Sequence, residues 1–92
     1  MKVTAKLTSL MLAYTGQAQV DLELPEEATA ADLMQEIGRR FADNIPHHMW
    51  DREKETFAPM VRILANGTVV NNLAQPLTEG GQYFFILAVA GG

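Results

Sequence analysis

Residues 82–89 read Gln-Tyr-Phe-Phe-Ile-Leu-Ala-Val and dominate the fold prediction, because both sets of alternating positions are apolar. One set holds Tyr83, Phe85, Leu87 and Val89, and the other holds Phe84, Ile86 and Ala88. Successive side chains of a strand point to opposite faces of its sheet. A strand that is apolar on both faces is central in its sheet or is covered on both sides. We therefore expect residues 82–89 to form a central strand.

The clearest helix signal lies between Thr29 and Pro46. Thr29 followed by Asp32 resembles a capping box at the start, and Pro46 ends the helix. One stripe of this helix is apolar and holds Ala30, Leu33, Met34, Ile37, Phe41 and Ile45. A helix with one apolar stripe lies on one face of a sheet. Gly38 sits beside the stripe, and we expect it to allow close approach to the sheet.

One helix covers only one face of a sheet. The sequence therefore does not show whether anything covers the other face of the last strand. The side chains concerned include Phe84 and Ile86. An uncovered apolar face is a candidate partner surface. Alternatively, residues 47–58 or residues 10–12 cover it. The sequence leaves both possibilities open.

The remaining strands are predicted from alternation and turn signals. Residues 2–8 and 19–24 alternate apolar and polar side chains, and Thr15-Gly16 marks a turn between them. This arrangement predicts an antiparallel hairpin. Residues 60–65 end at Asn66-Gly67, a strong hairpin-turn signal, and a short returning strand follows.

Residues 47–58 are the least regular stretch of the chain. We expect Trp50 and Phe57 to anchor them to the body, and Leu73 and Leu77 to anchor the polar loop near Pro76. His47-His48 invites a metal-site interpretation. However, adjacent side chains point in different directions and no third ligand is evident, so we predict no metal site.

The composition limits what the chain can do. It has 92 residues, 48% hydrophobic, which fits a single domain spanning 1–92. The formal net charge of −4 disfavours nucleic acid as a partner, and the absence of cysteine excludes thiol chemistry by the chain itself. No apolar run is long enough for a membrane span. The segment after Lys2 only loosely resembles a signal peptide, so we expect a cytoplasmic protein.

No strong enzyme motif is present, which favours a carrier or interaction module. The sequence ends in Ala90-Gly91-Gly92, and we expect residues 90–92 to be a flexible functional tail. A side-chain-free end fits into a narrow channel and presents its α-carboxylate there. A free carboxylate is a poor electrophile until another enzyme activates it, for example as an acyl-adenylate. The reactive group would be the backbone carboxylate of Gly92.

The order of predicted elements, together with the terminal glycines, resembles the ubiquitin-like β-grasp superfamily. Within it, the chain is similar to the MoaD/ThiS sulfur carriers, and most similar to the small subunit of molybdopterin synthase. The residues that carry the resemblance are Asn66-Gly67, Pro76-Leu77-Thr78-Glu79-Gly80, Phe84-Phe85 and Val89-Ala90-Gly91-Gly92. The resemblance implies an α+β fold with a mixed sheet of four to five strands and one main helix packed on one face.

The resemblance also implies a function. A ubiquitin-activating-type adenylyltransferase would use ATP to adenylate Gly92, which is then converted to a thiocarboxylate. The sulfur would pass to a precursor in the large subunit of molybdopterin synthase, with Gly91 and Ala90 threaded into that subunit. The partner-binding residues would be Phe84, Ile86, Ala88 and Val89, with no cofactor bound by the chain. A thiazole-pathway or other sulfur carrier, a ubiquitin-like protein modifier and a non-catalytic interaction domain are the alternatives.

Overall fold

The computed structural model describes residues 1–88, and these form one sheet with helices and a small hairpin. The strands are β1 Lys2–Leu7, β2 Gln19–Glu23, β3 Trp50–Asp51, β4 Thr56–Phe57, β5 Val61–Ala65, β6 Thr68–Val69 and β7 Gln82–Leu87. The helices are α1 Ser9–Thr15 and α2 Ala30–Arg40. The predicted α+β class and its mixed five-stranded sheet are confirmed.

Strand β7 lies at the centre of the sheet, whose strand order is β2-β1-β7-β5-β6. It runs parallel to β1, with Ala5 beside Tyr83, and antiparallel to β5, with Ala65 on the other side of Tyr83. The predicted central position of this segment is confirmed, but the strand ends at Leu87 and not at 89: Ala88 lies outside it, and Val89 lies outside the described residues. The antiparallel pairing of β1 with β2 is confirmed as well.

Helix α2 starts as predicted but is shorter. The Thr29 hydroxyl accepts a hydrogen bond from the Asp32 backbone N–H, and the Asp32 carboxylate accepts one from the Thr29 backbone N–H, which completes a capping box. The helix ends at Arg40, whereas the stripe predicted a helix up to Pro46. Phe41 leaves the helical conformation, with φ −115° and ψ 20°. Ile45 lies beyond the helix and is nevertheless buried, because the turn after Phe41 folds back over the core.

The core lies between α2 and the inner face of the sheet. Its most enclosed side chains are large and apolar: Leu7, Met11, Leu33, Ile37, Met49, Ile63 and Phe85. Leu77 is buried, as expected for a loop anchor, but Leu73 is 40% exposed, so its predicted core contact is wrong. The Ala30 and Ala31 backbone N–H groups donate to the carbonyls of Gln75 and Leu73, which holds this loop by its backbone instead.

The connection between β1 and β2 is a short helix, where the sequence predicted an irregular hairpin loop. Helix α1 ends at Gly16, which adopts φ +72° and donates its N–H to the Leu12 carbonyl. Glycine tolerates this left-handed conformation without steric cost. Met11 is fully buried, while Leu10 and Leu12 are 47% and 41% exposed. One buried anchor therefore holds a turn of helix that presents leucines to solvent.

Residues 47–58 pack on the helix side of the molecule. Strands β3 and β4 form a hairpin in which the Trp50 and Phe57 ring centroids are 4.9 Å apart, and both predicted anchors are confirmed. Gly38 does allow a close approach, but the group that approaches it is not the sheet as predicted. A Cβ at Gly38 would overlap the Trp50 ring, so the glycine admits this indole and not the sheet. The hairpin is thereby fixed against α2.

Candidate docking face and carboxyl-terminal tail

The outer face of β7 remains accessible at Phe84, which is 38% exposed. Ile86 is half-buried and Ala88 is exposed. The hairpin at 47–58 does not cover them, because Phe57 packs against Phe85, whose side chain belongs to the inner face, with ring centroids 6.3 Å apart. Of the two possibilities left open by the sequence, the accessible face is the one the structure supports.

Strand register places other apolar side chains next to Phe84 and Ile86. Phe84 pairs with Leu64, and Leu64 pairs with Val69 on the sheet edge. The Ala88 N–H donates to the Met60 carbonyl at 2.7 Å, which brings Met60 beside the end of β7. We call these outward-facing side chains the apolar patch: Met60, Leu64, Val69, Phe84 and Ile86. The sequence did not single out Met60, Leu64 or Val69, because only cross-strand register shows which residues flank β7.

Two cations border the apolar patch. Lys6 pairs with Phe84 from β1, and Arg62 pairs with Ile86 from β5. Both residues lie at positions that alternate with buried ones, so both project from the outer face. The Lys6 ammonium donates to the Gln19 amide oxygen at 2.6 Å.

The predicted tail, residues 90–92, lies outside the described residues. The last backbone hydrogen bond of the described chain holds Ala88, one residue beyond β7. Val89, Ala90, Gly91 and Gly92 lie outside the described residues. Their assigned roles, including the reactive carboxylate of Gly92, therefore stay predictions.

The described part of the chain offers no candidate metal site. Across residues 1–88, no group of three His, Asp or Glu side chains could hold a metal ion, and His47 and His48 are both exposed. No buried side-chain nitrogen or oxygen in that range lacks a hydrogen-bond partner. Nor does any helix within 1–88 combine the length and hydropathy needed to cross a membrane.

The displaced pKa values lie away from the apolar patch. A bidentate hydrogen bond from Arg39, at 2.7 and 2.8 Å, lowers the pKa of Glu55. Backbone N–H groups of Lys54 and Glu53 lower the pKa of Asp51. These contacts organise the hairpin of β3 and β4 against α2. They are structural ion pairs and turn contacts on the helix side.

Comparison with solved structures identifies the architecture. SAMP1 from Haloferax volcanii superposes with a TM-score of 0.80 at 17% identity, covering 100% of both chains. A Pyrococcus furiosus protein assigned as molybdopterin converting factor subunit 1 gives 0.73 at 25% identity, covering 96% of this chain and 98% of that one. The chain has the ubiquitin-like β-grasp fold. The resemblance seen in the sequence is thus confirmed for the fold.

A third β-grasp neighbour comes from a protein complex. A chain of the Amycolatopsis orientalis BexX/CysO complex gives a TM-score of 0.63 at 18% identity, covering 98% of this chain and 99% of that one. No family model matches the chain. No curated protein matches it either. At these identities the likeness establishes the β-grasp fold, and function has to be argued from the site.

Proposed function

We propose that this protein is a cytoplasmic sulfur carrier whose reactive group is the carboxylate of Gly92. One observation carries the proposal: the central strand β7 leads within five residues to Gly91-Gly92 and has an accessible apolar patch beside its end. A partner that binds the patch has the two glycines within reach, because five residues span at most ~18 Å when fully extended. The β-grasp fold shared with SAMP1 supports the same proposal.

The chemistry is supplied by partner enzymes. The Gly92 carboxylate attacks the α-phosphate of ATP in a ubiquitin-activating-type adenylyltransferase, which releases pyrophosphate and forms the acyl-adenylate. Sulfide then attacks the carbonyl carbon and displaces AMP, leaving a thiocarboxylate after loss of its proton. The chain itself contributes docking through Phe84, Ile86, Ala88 and Val89, and a backbone thin enough to enter the active site. It needs no bound cofactor for these steps.

We propose molybdopterin synthesis as the destination of the sulfur, with this chain as the small subunit of molybdopterin synthase. The structural similarity to the Pyrococcus furiosus protein assigned as molybdopterin converting factor subunit 1 supports this choice. The large subunit of the synthase would accept the tail and take the sulfur. A thiazole-pathway carrier uses the same activation and differs only in the acceptor enzyme.

Mass spectrometry of the intact protein tests the carrier function. We expect incubation with the adenylyltransferase, ATP and a sulfur donor to shift the mass by one replacement of oxygen by sulfur, located at Gly92. The matched control is the protein that lacks Gly91 and Gly92, which should keep its fold and show no shift. Biological activity that survives this deletion would exclude the carrier function.

The second candidate is a protein modifier attached to lysines. The likeness to SAMP1, named in a second Haloferax volcanii structure as small archaeal modifier protein 1, favours considering it. The activated Gly92 carbonyl would then be attacked by a lysine amine, which displaces AMP and forms an isopeptide bond. Peptide mapping of cell extracts separates the two functions, because only a modifier leaves the tail of this chain covalently bound to lysines of other proteins.

A further inference from the structure

The cations of this acidic protein are divided between its two faces. Arg39, Arg40 and Arg52 each form a salt bridge, with Glu55, Glu36 and Asp43 respectively, and all of these residues lie on α2 or in the segment that follows it. Lys6 and Arg62 project from the opposite, outer face of the sheet. Neither has a carboxylate within salt-bridge distance among residues 1–88.

The strands β1, β7 and β5 carry charge of the opposite sign to that of the whole protein. The chain has a formal net charge of −4, yet β1, β5 and β7 contain Lys2, Lys6 and Arg62 and no acidic side chain. Glu23 faces Lys2 from the edge strand β2, and Glu79 accepts a hydrogen bond from the Lys2 backbone N–H. Asp21, also on β2, faces Thr4 and accepts a hydrogen bond from its hydroxyl. Lys2 therefore has acidic neighbours, whereas Lys6 faces the neutral Gln19, and neither Lys6 nor Arg62 forms a salt bridge within residues 1–88.

These two cations lie on opposite sides of Phe84 and Ile86, with Lys6 on β1 and Arg62 on β5 between Met60 and Leu64. They are separated by two strand spacings and are offset by two residues along β7, which places their Cα atoms about 12 Å apart. The Lys6 ammonium is bonded to a neutral amide oxygen, which orients it without cancelling its charge. Apolar side chains with two cations beside them suit a partner of matching pattern, since such charges steer association and set register.

We propose that Lys6 and Arg62 are recognition residues for the adenylyltransferase, whose docking surface would present an apolar centre flanked by carboxylates. This inference rests on the proposed function for the identity of the partner. Net charge alone would predict a basic partner for this acidic chain. The local arrangement on the outer face predicts an acidic one.

Charge reversal tests the proposal by association kinetics with the purified adenylyltransferase. Lys6→Glu with Arg62→Glu should lower the association rate constant about tenfold at low salt, and either reversal alone should lower it about threefold. Lys54→Glu, which makes the same charge change as either single reversal but on the hairpin, should alter it by less than about twofold. Raising ionic strength should slow association of the unmodified protein more than that of the double variant. Thermal unfolding of each variant verifies that the fold is intact.

Zero-length cross-linking with a carbodiimide gives an independent readout, because the chain has only three lysines, Lys2, Lys6 and Lys54. We expect a cross-link from Lys6 to a carboxylate of the enzyme and none from Lys54. Equal slowing by all three reversals, or cross-linking at Lys54 alone, would overturn the proposal. So would a second copy of this chain as the cross-linked partner of Lys6.

Both measurements use the protein without Gly91 and Gly92 in parallel with the full chain. Docking should persist in the shortened protein, since the apolar patch and both cations lie within residues 1–88. If the docking inference is wrong, the association rate will not depend on Lys6 and Arg62. If the proposed function is wrong, Gly92 of the full chain will stay unmodified.

Discussion

Phe84 and Phe85 are neighbours in the sequence, and the sheet gives them opposite environments. Phe85 is fully buried beneath α2, and Phe84 is 38% exposed on the outer face. Lys6 and Arg62 lie in register with the outer positions of the same strand. Alternation along the strand therefore decides which side chains are available for the proposed docking. Substitutions at the adjacent positions 84 and 85 should affect binding and stability respectively.

The first prediction concerns this pair of phenylalanines. Phe84→Asp should change the free energy of unfolding by about 1 kcal/mol or less and weaken adenylyltransferase binding at least about tenfold, since it places a carboxylate in the apolar patch. Ile86→Asp should act in the same direction. Denaturant unfolding and titration calorimetry measure the two effects.

The matched control is Phe85→Asp, which puts a charge into the core and should prevent folding. Unfolding by Phe84→Asp, with Phe85→Asp tolerated, would show that the two faces of β7 have been assigned in reverse.

The second prediction concerns Gly38, whose missing side chain makes room for Trp50. Gly38→Ala should lower the free energy of unfolding by about 1–3 kcal/mol, because the new methyl group overlaps the indole ring. In an exposed helix position the same change would stabilise by about 1 kcal/mol. Denaturant unfolding determines the sign, and a stabilised Gly38→Ala protein would contradict the packing of the hairpin on α2.

The elements differ in how much of their structure follows from neighbouring residues. The start of α2 was predictable because Thr29 and Asp32 are three positions apart and bond to each other. The Asn66-Gly67 turn was also predictable from adjacent residues. This kind of hairpin turn requires positive φ at both positions, and Asn66 and Gly67 adopt φ values of 54° and 77°. Helix α1 was missed, since its packing is long-range: Met11 is buried in the core, and the Thr8 hydroxyl donates to the Phe85 carbonyl.

The third prediction concerns the hairpin formed by β3 and β4. Arg39 lowers the pKa of Glu55 below its usual value near 4.5. The stabilisation from this pair is therefore complete above that value and is lost as the pH falls through the lower, folded-state pKa. Glu55→Gln should accordingly reduce stability at neutral pH and make no difference in strong acid.

Thermal unfolding of both proteins across a pH series measures this change. Because the pair is exposed, added salt should reduce the difference at neutral pH. Glu53→Gln, in the same turn, is the control and should show neither effect. A difference between Glu55→Gln and the unmodified protein that persists in strong acid would contradict the assignment.

At the scale of the whole molecule, the residues that stabilise the fold differ from the residue that we propose to be reactive. The core side chains of the described chain lie between Val3 and Phe85, and the proposed reactive carboxylate belongs to Gly92. The outer face of the sheet, with its apolar patch and two cations, is distinct from the core. Folding, docking and chemistry are thereby assigned to different residues, which makes each of them testable alone.

The fourth prediction uses this separation. Deleting Gly91 and Gly92 should leave the midpoint of thermal unfolding unchanged, because neither glycine has a side chain to bury, and should abolish ATP–pyrophosphate exchange by the adenylyltransferase. Appending one residue after Gly92 should abolish exchange equally, since the carboxylate is displaced and a side chain enters the channel. Exchange that continues with either variant would place the reactive group elsewhere.

Local patterns in the sequence were enough for the strand at 82–87, the start of α2, the Asn66-Gly67 turn and the proposal of a reactive tail. Each depends on residues a few positions apart, or on composition alone. The accessibility of Phe84, the flanking cations Lys6 and Arg62 and the place of residues 47–58 depend on register between distant segments. Lys6 and Phe84 are 78 positions apart and meet only because β1 and β7 pair in parallel. Such pairing follows from the packing of the whole core, which no short window of sequence contains.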